Sequence, residues 1–152
     1  MIRVLFVCLG NICRSPMAEA VMRDFIEKEG LSDTIKVDSA GISSWHIGEP
    51  PHKKTQLKLK EYGISTSGMK SRQLNFGDFE AFDYIVGMDN NNVHNIREIL
   101  GQPNHPKIFR FLDLTPHKKD VPDPYYTGDF QETYDLVVEG CEALLKKIIE
   151  EM

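Results

Sequence analysis

The chain has 152 residues, 18 basic and 23 acidic, for a net charge of -5; the length suits one domain burying its own core, and the charge offers no general attraction for nucleic acid. Three cysteines, unevenly spread, make no disulfide framework. Met1 leads straight into a strand with Arg3 near its start and no long apolar segment, so neither secretion nor membrane spanning is expected and a cytoplasmic protein is.

In chain order, residues 2 to 8 form a first strand around the apolar run Val4-Leu5-Phe6-Val7. Residues 16 to 29 form a helix with Ala18, Val21, Met22 and Phe25 at helical spacing, Ser15 as N-cap, Pro16 as first helical position and Gly30 as its end. A short strand follows from Ile35 to Asp38, and then Pro50-Pro51 introduces a polar helix through Leu57, Leu59 and Tyr62 that stops at Gly63. Phe82 to Met88 reads as a third strand, Asp89-Asn90 caps a helix carrying Val93, Ile96, Ile99 and Leu100 up to Gly101, and Lys107 to Leu112 is the fourth strand. Pro116 to Gly128 reads as a long loop. The last helix, 130 to 150, has the clearest pattern, one apolar stripe from Tyr134 through Val137, Cys141, Leu144 and Leu145 to Ile148, which makes Cys141 a packing residue. Strands alternating with helices predict an α/β fold in a single domain over 1–152: three layers, a four-stranded parallel sheet with helices on both faces, and ligands beyond the carboxyl ends of the strands.

One of those ends carries Cys8-Leu9-Gly10-Asn11-Ile12-Cys13-Arg14-Ser15-Pro16. Gly10 and Asn11 tolerate a left-handed backbone, and a helix starts immediately after, so the loop's free amides converge on an anion. A thiol in that environment tends to lose its proton, which makes Cys8 a nucleophile toward phosphorus rather than a packed cysteine. Arg14 brings a planar fork to two oxygens of the same phosphoryl group. Ser15 is read both as N-cap and as a hydroxyl donor to the Cys8 sulfur. Five histidines, at 46, 52, 94, 105 and 117, show no metal-ligand spacing and are assigned to surface or loops, so no metal or cofactor is expected. The absence of a Gly-x4-Gly-Lys-Ser/Thr run excludes a nucleotide-binding loop of that type.

The Cys-x5-Arg-Ser spacing resembles the signature of the low-molecular-weight protein tyrosine phosphatases. So, in the family's order, do Asp38-Ser39-Ala40-Gly41, Trp45, the stretch from Gly63 to Gln73, Phe82-Asp83-Tyr84-Ile85 with Met88-Asp89, and Asp123-Pro124-Tyr125-Tyr126. The resemblance implies hydrolysis of phosphotyrosine without a metal, through a phosphocysteine on Cys8 with Arg14 against the phosphoryl oxygens. On residue type alone Asp123 is a turn-forming Asp-Pro; resemblance to the family's general-acid motif makes it the acid that protonates the leaving oxygen, ahead of Asp120, which lies outside the matched tetrapeptide.

Trp45 and Tyr126 are by composition equally core or surface aromatics. The resemblance makes Leu9, Ile12, Trp45, Tyr125 and Tyr126 walls for an aromatic substrate, with Gly10, Asn11, Cys13 and Ser15 completing the substrate-binding loop. Ile12 stands where a phosphoarginine-hydrolysing relative has threonine, which points toward tyrosine. Asn11 shapes the loop in a left-handed conformation, bonded to the family's serine at Ser39; vertebrate members carry a histidine in the stretch matching Gly68-Met69-Lys70 that this sequence lacks, so support through Ser39 is expected to differ in detail. Cys13 is open to two readings, a small packed side chain or a redox partner within disulfide reach of Cys8.

The expected partners are phosphotyrosine-containing proteins, a tyrosine kinase among them, and inorganic phosphate as product or inhibitor, with the protein a monomer or weak oligomer and no nucleic-acid or membrane partner. Two other functions compete. A thiol-dependent arsenate reductase shares the fold and loop but needs a distal cysteine pair, and residues 79–101 contain no cysteine. A non-catalytic phosphate-binding module would keep the anion nest and lack the acid, and the pairing of Cys8 with Asp123 argues against it.

Overall fold

Strand β1 (Ile2–Cys8) decides the layering of the computed structural model, which describes residues 1–152. Its alternate side chains point to opposite faces. Val4, Phe6 and Cys8 join a core of 27 buried residues built with helices α1 (Arg14–Lys28) and α6 (Phe130–Glu151). Leu5 and Val7 join a second core of 8 that includes Ile96 and Leu100 of α4 (Asn90–Leu100). A strand covered on both faces explains why Val4 to Val7 are all apolar. β1 lies between β2 (Ile35–Gly41) and β3 (Tyr84–Gly87), with β4 (Ile108–Arg110) beyond β3, and every pairing in the β2-β1-β3-β4 sheet is parallel. The remaining helices are α2 (Lys53–Glu61), α3 (Asp78–Ala81) and α5 (Pro124–Thr127). No helix is long and apolar enough to cross a membrane.

The punctuation of α4 is as predicted: the Asp89 side chain accepts from the Asn92 N–H at its start, and Gly101 closes it in the left-handed conformation at φ 65°. Other boundaries move. α1 begins at Arg14 with Cys13 as N-cap, so Ser15 is not the cap and Pro16 is the third helical residue. Proline is tolerated there because the first amides of a helix lack intrahelical acceptors anyway, and the Ser15 hydroxyl is drawn to Cys8 instead. β2 runs on to Gly41 because it pairs with β1 along its whole length. β3 and β4 are shorter than their apolar runs, and Phe111–Leu114 turns off the sheet as a 3-10 turn that buries Phe111 and Leu112. The expected loop from Pro116 to Gly128 contains α5, started by the Asp123 side chain with Pro124 in its first turn. α3 has no counterpart in the apolar periodicity of the sequence.

The end of β1, the start of α1, the end of β3 and the segment before α5 all reach the carboxyl edge of the sheet, at the crevice between strands whose following helices cover opposite faces.

Candidate active site

The loop from Cys8 to Arg14 curls around the Cys8 sulfur. Asn11 adopts the left-handed conformation at φ 55°, which turns its N–H back to donate to Cys8 Sγ at 3.3 Å. The N–H groups of Leu9, Gly10, Ile12 and Cys13 donate to no protein acceptor, leaving a ring of donors for an oxyanion.

A buried hydrogen-bond chain fixes this loop from behind. Ser15 Oγ lies 3.0 Å from Cys8 Sγ and accepts from Asn11 Nδ2 at 2.8 Å, so the hydroxyl hydrogen is left for the sulfur. The second Nδ2 hydrogen goes to Ser39 Oγ at 2.9 Å, and Ser39 in turn donates to Glu19 Oε1 at 2.6 Å. Glu19 is 6% exposed and pairs through its other oxygen with Arg23. The Arg72 N–H donates to Asn11 Oδ1 at 3.0 Å, which settles the amide orientation. Ser39 is thus held by a buried carboxylate on α1.

Arg14 is 3% exposed and has three partners: Nη1 donates to Asp89 Oδ2 at 2.6 Å and to the Val121 carbonyl at 3.0 Å, and Nη2 to Asp123 Oδ2 at 3.4 Å. Burial opposes its charge, but the Cys8 sulfur and the two carboxylates outweigh that and hold the guanidinium above its ordinary range. Asp89 therefore serves twice, capping α4 through Oδ1 and clamping Arg14 through Oδ2. The sequence marks it only as a cap; the available signal was its place at the carboxyl end of β3, where such sheets bind ligands.

Asp123 accepts from Tyr125 N–H through Oδ1 and faces Arg14 through Oδ2. Its rival Asp120 is occupied elsewhere, accepting from Asn90 N–H at 2.9 Å and from Arg110 Nη1 at 3.1 Å, and is absent from the cleft wall.

The cleft above Cys8 has a volume of about 170 Å³, close to the roughly 150 Å³ of a cavity that holds one benzene ring. Leu9, Gly10, Ile12, Cys13, Arg14, Trp45, Asp123, Tyr125 and Tyr126 line it. Trp45 and Tyr126 are surface aromatics, 72% and 75% exposed, at the rim. Two residues expected in the substrate-binding loop, Asn11 and Ser15, are not walls: with Ser39, which was read only as loop support, they are buried behind the loop as its scaffold, because their polar atoms are used on one another. One wall was missed. His46, assigned to surface or loops, lies in the cleft. His52 instead starts α2 and packs its ring against Phe130 at 5.4 Å and Tyr125 at 6.2 Å.

All three cysteines are free and buried. Burial, reinforced by the nearby Cys8 and Asp123 charges, pushes the Cys13 thiol up to about 12. Cys141 packs against the Ala18 carbonyl on α1 and is pushed well above the ordinary thiol range by burial, as its place on the apolar stripe predicts.

Over residues 3–152 the chain matches the family described as low molecular weight phosphotyrosine protein phosphatase. It is 54% identical to the low molecular weight protein-tyrosine-phosphatase YfkJ of Bacillus subtilis, with 99% of this chain and 98% of the relative covered. Identity to the low molecular weight protein-tyrosine-phosphatase PtpA of Staphylococcus epidermidis is 46%, covering 99% and 96%. The crystal structure of YfkJ superposes with a TM-score of 0.96 over 99% of this chain and 96% of that one. The low molecular weight protein tyrosine phosphatase of Streptococcus pyogenes does so at 0.86, with 44% identity over 97% and 93%. Likeness of this extent, in sequence and backbone alike, leaves one assignment for the loop around Cys8: the chain belongs to the low molecular weight phosphotyrosine protein phosphatase family.

Proposed function

We propose that the protein hydrolyses phosphotyrosine in phosphoprotein substrates, with Cys8 as nucleophile, Arg14 and the loop amides as oxyanion binders and Asp123 as general acid and base. The observation that carries this reading is a nucleophilic sulfur at the floor of a ring-sized cleft whose wall also holds Arg14 and Asp123. In the first step the Cys8 thiolate attacks phosphorus while the phosphorus–oxygen bond to the tyrosine breaks, and Asp123 gives its proton to the leaving phenolic oxygen. Charge on the equatorial oxygens meets Arg14, already charged and clamped by Asp89, and donors that need no reorganisation. In the second step water attacks phosphorus, its proton goes to Asp123, and the sulfur–phosphorus bond breaks with the electron pair returning to Cys8. Ser15, 3.0 Å from the sulfur, donates to that returning thiolate.

The aromatic and aliphatic walls favour a phosphorylated ring over the shorter phosphoserine, and Ile12 contributes an aliphatic surface in place of a polar one. An arsenate relay lacks a route, since the one cysteine outside the loop is buried against α1. A reducing cytoplasm suits three free thiols. The test is turnover of an aryl phosphate and a phosphotyrosyl peptide by wild type and Cys8→Ser. Wild type should release phosphate from both and Cys8→Ser from neither, while Cys8→Ser retains bound phosphoprotein from a lysate, a tyrosine kinase among the candidates; Cys8→Ser activity within tenfold of wild type removes the mechanism.

A further inference from the structure

Arg72 lies outside the cleft, yet its main chain and its side chain both end on groups that hold the phosphate loop. Residues 72–74 run beside the end of β2, where the Gly41 N–H donates to the Arg72 carbonyl and the Leu74 N–H to the Gly41 carbonyl, each at 2.8 Å. The loop rests against the same glycine, since a Cβ on Gly41 would stand 3.1 Å from both Asn11 Cβ and the Gly10 carbonyl carbon. From this position the Ser71 hydroxyl donates to the Gly10 carbonyl at 3.2 Å, and the Arg72 N–H to Asn11 Oδ1 at 3.0 Å.

The guanidinium decides where that N–H stands. Its Nη1 and Nη2 form a two-pronged pair with the Asp78 carboxylate at 3.0 and 3.1 Å. Asp78 is buried at the start of α3 and accepts also from the Asn75 N–H at 2.9 Å. Nε turns the other way, to Asp38 Oδ2 at 3.1 Å, and Asp38 Oδ1 accepts from the Ser39 N–H at 2.8 Å. A ring of hydrogen bonds therefore closes: Arg72 N–H to Asn11, Asn11 to the Ser39 hydroxyl, Ser39 N–H to Asp38, and Arg72 Nε to Asp38. Burial opposes the Arg72 charge, but Asp78 and Asp38 outweigh it and hold the guanidinium above its ordinary range. A planar fork bonded on two edges has one orientation, and it passes that orientation to its own backbone. We infer that Arg72, braced by Asp78 and Asp38, is a positioning residue for hydrolysis of the phosphocysteine: by fixing the Asn11 amide it keeps the Ser15 hydroxyl directed at the Cys8 sulfur as that sulfur leaves phosphorus. The inference rests on the phosphatase reading of the cleft.

The test is rapid mixing with p-nitrophenyl phosphate, in which the burst of nitrophenol counts active sites and the steady phase reports breakdown of the phosphocysteine. Arg72→Met should lower the steady rate per active site by about five- to tenfold, the worth of one ordinary hydrogen bond to the leaving sulfur, at full burst amplitude. A merely structural role would lower the amplitude instead and leave the rate per site alone. Asp38→Ala opens the ring without leaving a buried carboxylate unpaired, and should lower the rate in the same direction. Asn11→Gly removes the group through which Arg72 acts, so adding Arg72→Met to it should cost less than about twofold more. Arg97→Met removes a guanidinium that bonds the carbonyls of Gln102, His105 and Ile108 away from the cleft, and should lower the unfolding midpoint with the rate per site unchanged. A rate per site within about twofold of wild type in folded Arg72→Met, or in Asp38→Ala should Arg72→Met not fold, overturns the assignment. So does full multiplication of the losses in the double variant, or an equal loss in Arg97→Met. Wild type that releases no nitrophenol would instead overturn the phosphatase reading.

Discussion

Replacing Asn11 separates what its backbone contributes from what its side chain contributes. The side chain makes three bonds, two of them buried, to Ser15 at 2.8 Å and to Ser39 at 2.9 Å, and one partly buried, from the Arg72 N–H at 3.0 Å, and the residue is 2% exposed at φ 55°. At about 0.5–1.5 kcal/mol net for each bond, Asn11→Ala loses about 2–4 kcal/mol. An alanine at positive φ costs about 1–2 kcal/mol more. The sum is a large part of the roughly 5–15 kcal/mol that holds a domain of ordinary stability. Asn11→Gly loses the same bonds but accepts the backbone conformation, and after the entropy of a more flexible unfolded chain it should be more stable than the alanine variant by about 1 kcal/mol. Urea unfolding monitored by circular dichroism measures both midpoints at an unchanged slope. Both variants should also lose activity, since Ser15 no longer has its orientation toward Cys8 fixed and the loop amides lose their frame. Equal stability of the two variants would refute the backbone argument, and an Asn11→Ala enzyme within 1 kcal/mol of wild type would refute the hydrogen-bond accounting.

Asp123→Ala should lose about 10² to 10⁴-fold on phosphotyrosine and much less on esters whose leaving group departs readily as an anion; equal losses across a leaving-group series would take Asp123 out of the acid role and reopen Asp120. Peroxide should inactivate the enzyme reversibly. Cys13 stays protonated at neutral pH, with its thiol pushed up to about 12, so oxidation begins at Cys8. The resulting sulfenic acid condenses with the Cys13 thiol to a disulfide and water. Loss of the Cys8 charge also removes one of the causes that keep Cys13 protonated. Thiol reductant should restore wild type, Cys13→Ser should recover poorly, and non-reducing peptide mapping should find the Cys8–Cys13 link; free thiols in the inactivated wild type would make Cys13 a packing residue.

Features governed by neighbours along the chain are legible in the residues themselves. The run Val4 to Val7 reads as a strand covered on both faces, Asp89 and Gly101 bracket a helix by chemistry confined to one turn at each end, and Gly10-Asn11 ahead of a helix start dictates an anion nest. The stripe from Tyr134 to Ile148 likewise places Cys141 in the core. What the sequence leaves open depends on residues brought together from 28 to 109 positions apart, the separations of the Asn11–Ser39 and Arg14–Asp123 contacts. Ser15 reads both as a cap and as a donor to the Cys8 sulfur, and the structure leaves it the second role alone because Cys13 takes the cap position of α1. Asp120 and Asp123 differ little as residues; the sheet order puts Arg110 and Asn90 beside the first and Arg14 beside the second. His46 becomes a wall because its loop is hung on the carbonyls of Cys8 and Leu9. Gly140 makes room in α6 for the Phe111 ring, which is turned off the end of β4 and packs where a Cβ would stand. Dihedral preference and apolar period act over a few residues and are written in them, whereas which polar groups meet is set by the parallel crossovers of the sheet, and those are decided by the packing of the whole chain.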